Sequence, residues 1–339
     1  MHRRLPEFLA VVLATFGLAH GNTATSAEGA PERTFDFVYR VEVGPIETGS
    51  GPIHVFIPLP RESVNQTVHS REVHASIPGA AEREDRYGNL FWHGTIPEST
   101  GKAIGIELRS RITRHLDRVD GSSPGGIPAP SPAFAERELF LMPNQRVVVD
   151  HPILEPILEE VSASADRSDK PGFARALYDW TVDNIEYKKV GSGWGNGDTF
   201  WACNERYGNC TDFHSLFISL ARTEGIPARF DMGFPIPRDR PSGEIGGYHC
   251  WVEFYLDGVG WFPIDASEAS KDPDRREFFY GARRADRIHF TTGRDLRLGE
   301  GHRDKPLNYF IYPYVEVDGK RATVPIETTY SYADLADPR

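Results

Sequence analysis

The amino-acid sequence predicts an α+β fold: an N-terminal all-β sandwich, followed by a core in which a cysteine-bearing helix packs on an antiparallel sheet. Three observations carry this. Short period-two runs separated by turn residues fill positions 34–113, helical spacing takes over between 153 and 220, and strand-like runs return from 228. Beyond the N-terminal leader about 310 residues remain, more than one core usually organises, so two domains are expected.

The leader comes first. His2, Arg3 and Arg4 precede a mostly apolar run at positions 5–18, and small residues (Gly21, Ala24, Ser26, Ala27) follow it. This is the layout of an export signal over residues 1–27. Pro6 and Glu7 interrupt the run, which is shorter than the about 20 residues a membrane-spanning helix needs. A cleaved signal is expected, with an uncleaved anchor as the alternative. No later segment is apolar enough to span a bilayer, so the mature chain is expected in the periplasm or outside the cell.

Residues 28–150 are assigned to the sandwich. The runs FDFVYRVEV (35–43), IHVFIPLP (53–60), LFWHGTI (90–96) and AIGIELRSRIT (103–113) alternate apolar and polar side chains, with Gly-Pro, Pro-Gly and Gly-Asn turns between them. The stretch GSSPGGIPAPSP (121–132) links domains or crosses between them. The boundary is placed near 150, leaving 151–339 for the core.

In the core, segments 153–161 and 173–185 have helical spacing, the second through Phe173, Leu177, Trp180 and Ile185. A Gly-rich aromatic loop, GSGWGNGDTFW, occupies 191–201. Phe213, Leu216, Phe217 and Leu220 then fall at i, i+3, i+4 and i+7, a stripe that ends at the capping Gly225. ARFDMGF (228–234), YHCWVEFYL (248–256) and WFPID (261–265) complete the pattern as strands.

The formal charge is −11. Without the leader's two arginines and one glutamate it is −12, which leaves no electrostatic footprint for nucleic acid or anionic lipid. The three cysteines are Cys203, Cys210 and Cys250. An odd number leaves at least one thiol unpaired; Cys203 and Cys250 are free to pair if Cys210 does not, and sequence leaves that open.

Cys210 stands directly after a Gly-Asn turn signal and three residues before the helical stripe. A helix N-terminus stabilises a thiolate through its unpaired N–H groups and the positive end of its dipole. A buried structural sulfur is the alternative, and a base decides between them. In YHCWVEFYL alternation puts His249, Trp251, Glu253 and Tyr255 on one face, and after the turn Asp265 lies on a strand opposite. A three-residue loop centred on Gly258 pairs Asp265 with Trp251 and sets His249 on the diagonal; a shift of two residues pairs Asp265 with His249 directly. Either register brings a carboxylate within reach of the imidazole, to fix its tautomer and stabilise the imidazolium.

Asp212, in the first helical turn, is expected to cap the helix. His214 shares a helix face with Cys210 at i+4, the spacing of a zinc pair. His249 and Cys250 point to opposite faces of their strand and cannot both complete such a site. No metal and no cofactor are assigned. Walker, HExxH and Rossmann glycine patterns are absent from the sequence.

GNCTDFHSLFISLARTEGIPAR followed by YHCWVEFYLDGVGWFPIDAS resembles the core of the transglutaminase-like superfamily, a papain-related group of thiol enzymes, and the N-terminal sandwich is similar to what accompanies that core in exported bacterial members. The family order of Cys on a helix, then His and Asp on successive strands, carries over to Cys210, His249 and Asp265. The resemblance implies acyl chemistry on a peptide or protein carboxamide through a thioester, with hydrolysis favoured over cross-linking. It also implies an oxyanion hole, with the Cys210 N–H as first donor and Trp194, Trp201 or an Asn of the 191–204 loop as second. Trp194, Trp201 and Trp251 are the candidates for lining the substrate. A non-catalytic cell-envelope scaffold is the alternative of another class.

Overall fold

The computed structural model describes residues 31–119 and 134–335. The leader at 1–27 and the stretch at 121–132 lie outside the described residues. The α+β organisation is present, as two five-stranded sheets and a four-stranded sheet carrying helices.

The first five-stranded sheet runs Ser242–Glu244, Ile326–Asp334, Glu32–Val43, Ile104–His115, Gln66–Ala75, every neighbour antiparallel. The second runs Lys320–Arg321, Tyr314–Val317, Ile53–Pro58, Leu90–Ile96, Gly79–Arg83. The alternation read in the sequence places Phe35, Phe37, Tyr39, Val41 and Val43 in the same buried cluster as Ile53, Val55 and Ile57 of the other sheet. Phe56 and Phe91 face the other way, into a small satellite cluster with Leu296, Leu298 and Phe310.

The sheets cross the division placed at residue 150. Strands Tyr314–Val317 and Ile326–Asp334, expected in the core, return to the two N-terminal sheets. A period-two pattern specifies that a segment is a strand but not which distant strand it pairs with. The two parts also share one core: the Phe37 ring lies 5.5 Å from Phe234 and 5.6 Å from Phe290 of the four-stranded sheet.

That sheet has the order Gly260–Ile264, His249–Leu256, Ala228–Pro235, Arg287–Thr292, all antiparallel. The Cys210–Thr223 helix packs on it, with the Lys170–Asn184 and Thr199–Glu205 helices alongside. Phe213, Leu216, Phe217 and Leu220 are each 0% exposed, and burying such a side chain contributes roughly 1.5–3 kcal/mol. Phe217 meets Phe254 of the sheet at 5.7 Å. The helix is buried on its polar side too, a difference from the one-sided stripe expected. Arg222 is satisfied there by the Ala228 and Met142 carbonyls and by Asn144. Gly225, at φ 72°, turns the chain out of the helix.

Candidate active site

The local sequence builds a tight helix start. The Asn209 side chain accepts the Thr211 N–H at 2.9 Å, and Asp212 accepts the Asn209 N–H at 2.9 Å, a reciprocal capping box. Cys210 is therefore the first helical residue, where backbone N–H groups are unpaired and the dipole is positive. Just ahead of the His249–Leu256 strand, the Tyr248 hydroxyl lies 3.0 Å from both Asn209 Nδ2 and Thr211 Oγ1, tying this stretch to the helix start.

The hairpin takes the first of the two registers considered. Leu256 pairs with Gly260 and Val252 with Ile264 across the three-residue loop 257–259. Continuing that register sets Asp265 opposite Trp251 and diagonal to His249. His249 Nε2 and Asp265 Oδ2 are 2.6 Å apart, so Nε2–H donates to the carboxylate and Nδ1 is the nitrogen left for a thiol. Asp265 also caps the Ala266–Lys271 helix, its Oδ1 accepting from Glu268 N and Ser267 Oγ at 3.0 Å each. That second duty locks the carboxylate in place.

The electrostatics join these groups. Burial acts to raise the Cys210 thiol, but side-chain hydrogen bonding with Cys250 and His249 and the charges of His249 and His214 outweigh it, holding the thiol well below its ordinary range. Burial acts to lower His249, yet the Asp265 charge and hydrogen bond and the Cys210 thiolate raise it to about 10. Asp265 is held well below the usual carboxylate range against burial, chiefly by the His249 charge. Around neutral pH the arrangement favours a thiolate–imidazolium pair with an ionised aspartate behind it.

Asp212 does more than cap. Its carboxylate also accepts Gly195 N–H at 2.6 Å and Gly197 N–H at 2.9 Å, pinning the Gly-rich loop to the helix start. Burial raises its pKa, with those backbone donors acting against the rise. Gly197, at φ 58°, is so close to Ser215, Arg294 and Thr211 that a Cβ has no room.

The three tryptophans proposed from the sequence are placed as follows. Trp194 gives its indole N–H to the Gly191 carbonyl at 3.1 Å and Trp201 gives its own to Tyr207 at 2.9 Å. Both donors are spent within their own stretch of chain. Trp251 is 1% exposed, 5.0 Å under the Arg283 guanidinium and 6.4 Å from the His249 ring. None of the three is among the residues lining the cleft at His249; Trp251 is buried, whereas Trp194 and Trp201 are half-buried.

Two neighbours were considered in the sequence but not assigned to the site. His214 is 0% exposed, with Nδ1 3.4 Å from Cys250 Sγ and Nε2 3.5 Å from Asp265 Oδ1, so the aspartate faces two histidines. The i+4 spacing from Cys210 was the available signal. Cys250 was expected to point away from the site, yet it contacts Cys210. His249 is the first residue of its strand, where alternation no longer keeps neighbours apart. All three cysteines are free thiols, so Cys203 does not pair with Cys250 or with Cys210. Among the described residues no group of three His, Cys, Asp or Glu is arranged to hold a metal ion, and no helix is long and apolar enough to cross a membrane.

Comparison with known proteins agrees with this geometry at the level of fold and family. Over 364 aligned positions the chain is 26% identical to an uncharacterised protein of Haemophilus influenzae, covering 96% of this chain and 97% of that one. A proposed cysteine protease of Cytophaga hutchinsonii shares the fold, with TM-score 0.59 and 17% identity over 91% of this chain and 93% of that one. The periplasmic domain of TgpA from Pseudomonas aeruginosa, bound to ethylmercury, aligns with TM-score 0.35 and 16% identity over 70% of this chain and 92% of that one. Residues 158–266 match the transglutaminase-like superfamily, and that span includes both Cys210 and Asp265. The chain thus contains a transglutaminase-like superfamily core.

Proposed function

We propose that this chain is an exported thiol enzyme that cleaves peptide or other carboxamide bonds, with Cys210 as nucleophile, His249 as acid and base, and Asp265 as the group that orients and charges the histidine. The observation that carries the reading is the contact chain from the thiol at a helix start through His249 to Asp265 at 2.6 Å. The thiolate Sγ adds to the amide carbonyl carbon and the C=O pair moves to oxygen, where the Cys210 N–H supports the charge. On collapse the C–N bond breaks, and the leaving nitrogen takes the imidazolium proton. His249 then accepts a proton from water as it adds to the thioester. The C–S bond breaks, releasing a carboxylic acid and restoring the thiolate.

The test is mapping of alkylation on the mature protein by mass spectrometry across pH, followed by product analysis with peptide amides. Selective modification of Cys210 below pH 8, lost in His249→Ala, supports the pair. A carboxylate product supports hydrolysis, whereas an isopeptide formed with an added amine moves the assignment to transamidation. A Cys210 that stays unreactive under reducing, native conditions favours a binding or scaffold role.

A further inference from the structure

His249 opens onto a cleft of about 450 Å³ whose wall carries six cationic side chains: Lys189, Arg238, Arg240, Lys271, Arg284 and Arg287. Three carboxylates share it, Glu244, Glu268 and Asp286. In a chain of net charge −11 this is a local reversal of sign. The pairing is uneven. Lys271 and Arg287 meet Glu268 at 2.8 and 3.1 Å, and Arg287 and Arg238 meet Asp286 at 2.7 and 3.4 Å. Arg240 donates to the Glu244 carbonyl at 3.1 Å, a backbone group that brings no charge. Lys189 lies over the Tyr187 and Trp194 rings, at 5.7 and 5.9 Å.

Arg284 is the informative member. It is 5% exposed, its Nε and Nη2 have no hydrogen-bond partner, and no carboxylate pairs with it among the described residues. Its guanidinium is held over the Phe278 and Phe279 rings, at 4.9 and 5.1 Å. A buried guanidinium with unmet donors is costly unless something supplies an acceptor. One held against two aromatic rings at the wall of a cleft has its position fixed before any carboxylate arrives.

We propose that this cleft selects a carboxylate-bearing peptide, placing an acidic group of the substrate against Arg284, with Lys189 and Arg240 supplying the surrounding positive field, beside the bond attacked by Cys210. The proposal rests on the thiol-enzyme reading above and names the substrate class that site takes. The acidic group is either a side-chain carboxylate or a free C-terminus.

The test compares the rates at which Cys210 of the full mature chain is alkylated by anionic iodoacetate and neutral iodoacetamide, mapped by mass spectrometry. In both, Sγ bonds to the methylene carbon as iodide leaves, so the rate ratio reports the field in the cleft. The expected ratio exceeds that of 2-mercaptoethanol, falls roughly tenfold in Arg284→Gln, the low end of what a charged cleft achieves, and falls again in high salt. The iodoacetamide rate changes far less than the iodoacetate rate, because that reagent carries no charge. Because Arg284 is buried, the exposed double variant Lys189→Gln/Arg240→Gln repeats the test without touching the interior. A ratio equal in the wild type and both variants overturns the proposal. An iodoacetamide rate at Cys210 no faster than that of an ordinary thiol overturns the thiol-enzyme reading itself, and this proposal with it.

Protection of Cys210 from iodoacetamide by three N-acetylated peptides identifies the source of the acid. The first has a glutamate and an amidated end, the second a glutamine and a free carboxyl end, the third a glutamine and an amidated end. Better protection by the first assigns a side chain, and better protection by the second assigns a terminus. Equal protection by all three contradicts the proposal.

Discussion

Replacing Asp265 with asparagine tests the charge logic of the site with the least damage to the fold. Asn keeps an oxygen for Glu268 N and Ser267 Oγ, so the cap on the Ala266–Lys271 helix survives. It removes the Asp265 charge, which together with the Cys210 thiolate lifts His249 from 6.5 to about 10. What remains is burial, the largest influence on His249, which lowers it, opposed only by the thiolate. The imidazole is then neutral at pH 6–8, and the thiol loses its main cationic partner. Burial returns the thiol to about 8.5 or above.

The readout is the pH profile of Cys210 alkylation by iodoacetamide. In the wild type the thiol is held well below its ordinary range, so the rate should climb far less between pH 6 and pH 8 than that of a free thiol. In Asp265→Asn a thiol near 8.5 makes the rate climb roughly 75-fold between those pH values, as the thiolate fraction does. A flat profile in the variant refutes the role of the carboxylate. A wild-type profile that climbs as steeply refutes the ion pair altogether.

Cys250→Ala removes one of the two side-chain partners that hold the Cys210 thiol down; the same profile should move to higher pH, by less than in Asp265→Asn, because His249 and Asp265 remain. Asn209→Ala deletes the helix cap and the contact to Tyr248, and denaturant titration should show a loss of about 1 kcal/mol, within the range for such caps. His289 is fully buried, and burial together with the Arg61 and Arg283 charges holds it at about 4 against the pull of Asp231. Its folded pKa lies below the unfolded 6.5, so its share of stability is present above pH 6.5 and is lost as pH falls through about 4, on the order of 3 kcal/mol. Thermal unfolding from pH 7 to 4 in the wild type and His289→Gln checks this: the variant should lose less stability on acidification.

Much of the core was legible because its signals are local. Asn209, Cys210 and Asp212 announce a helix start through side chains that bond only to their neighbours, and the stripe from Phe213 to Leu220 needs no distant partner to be recognised. The three residues between Leu256 and Gly260 settle the hairpin register, and with it the diagonal that joins His249 to Asp265. The tryptophans are harder to place for the opposite reason. Aromatic content signals packing or binding alike, and the carbonyls of Gly191 and Tyr207 that receive the indole N–H groups of Trp194 and Trp201 are set by the fold, not by a local pattern.

By itself the sequence determined the α+β class, the helix that begins at Cys210, and the hairpin that presents His249 and Asp265, since each follows from spacing within a few residues. Tertiary structure decided the rest. It carried Ile326–Asp334 back beside Glu32–Val43, set Cys250 and His214 against the site, and left Arg284 on the cleft wall with unmet donors. These are meetings between residues far apart in the chain. Which of them form depends on how all the apolar faces share one core, and no local pattern records that.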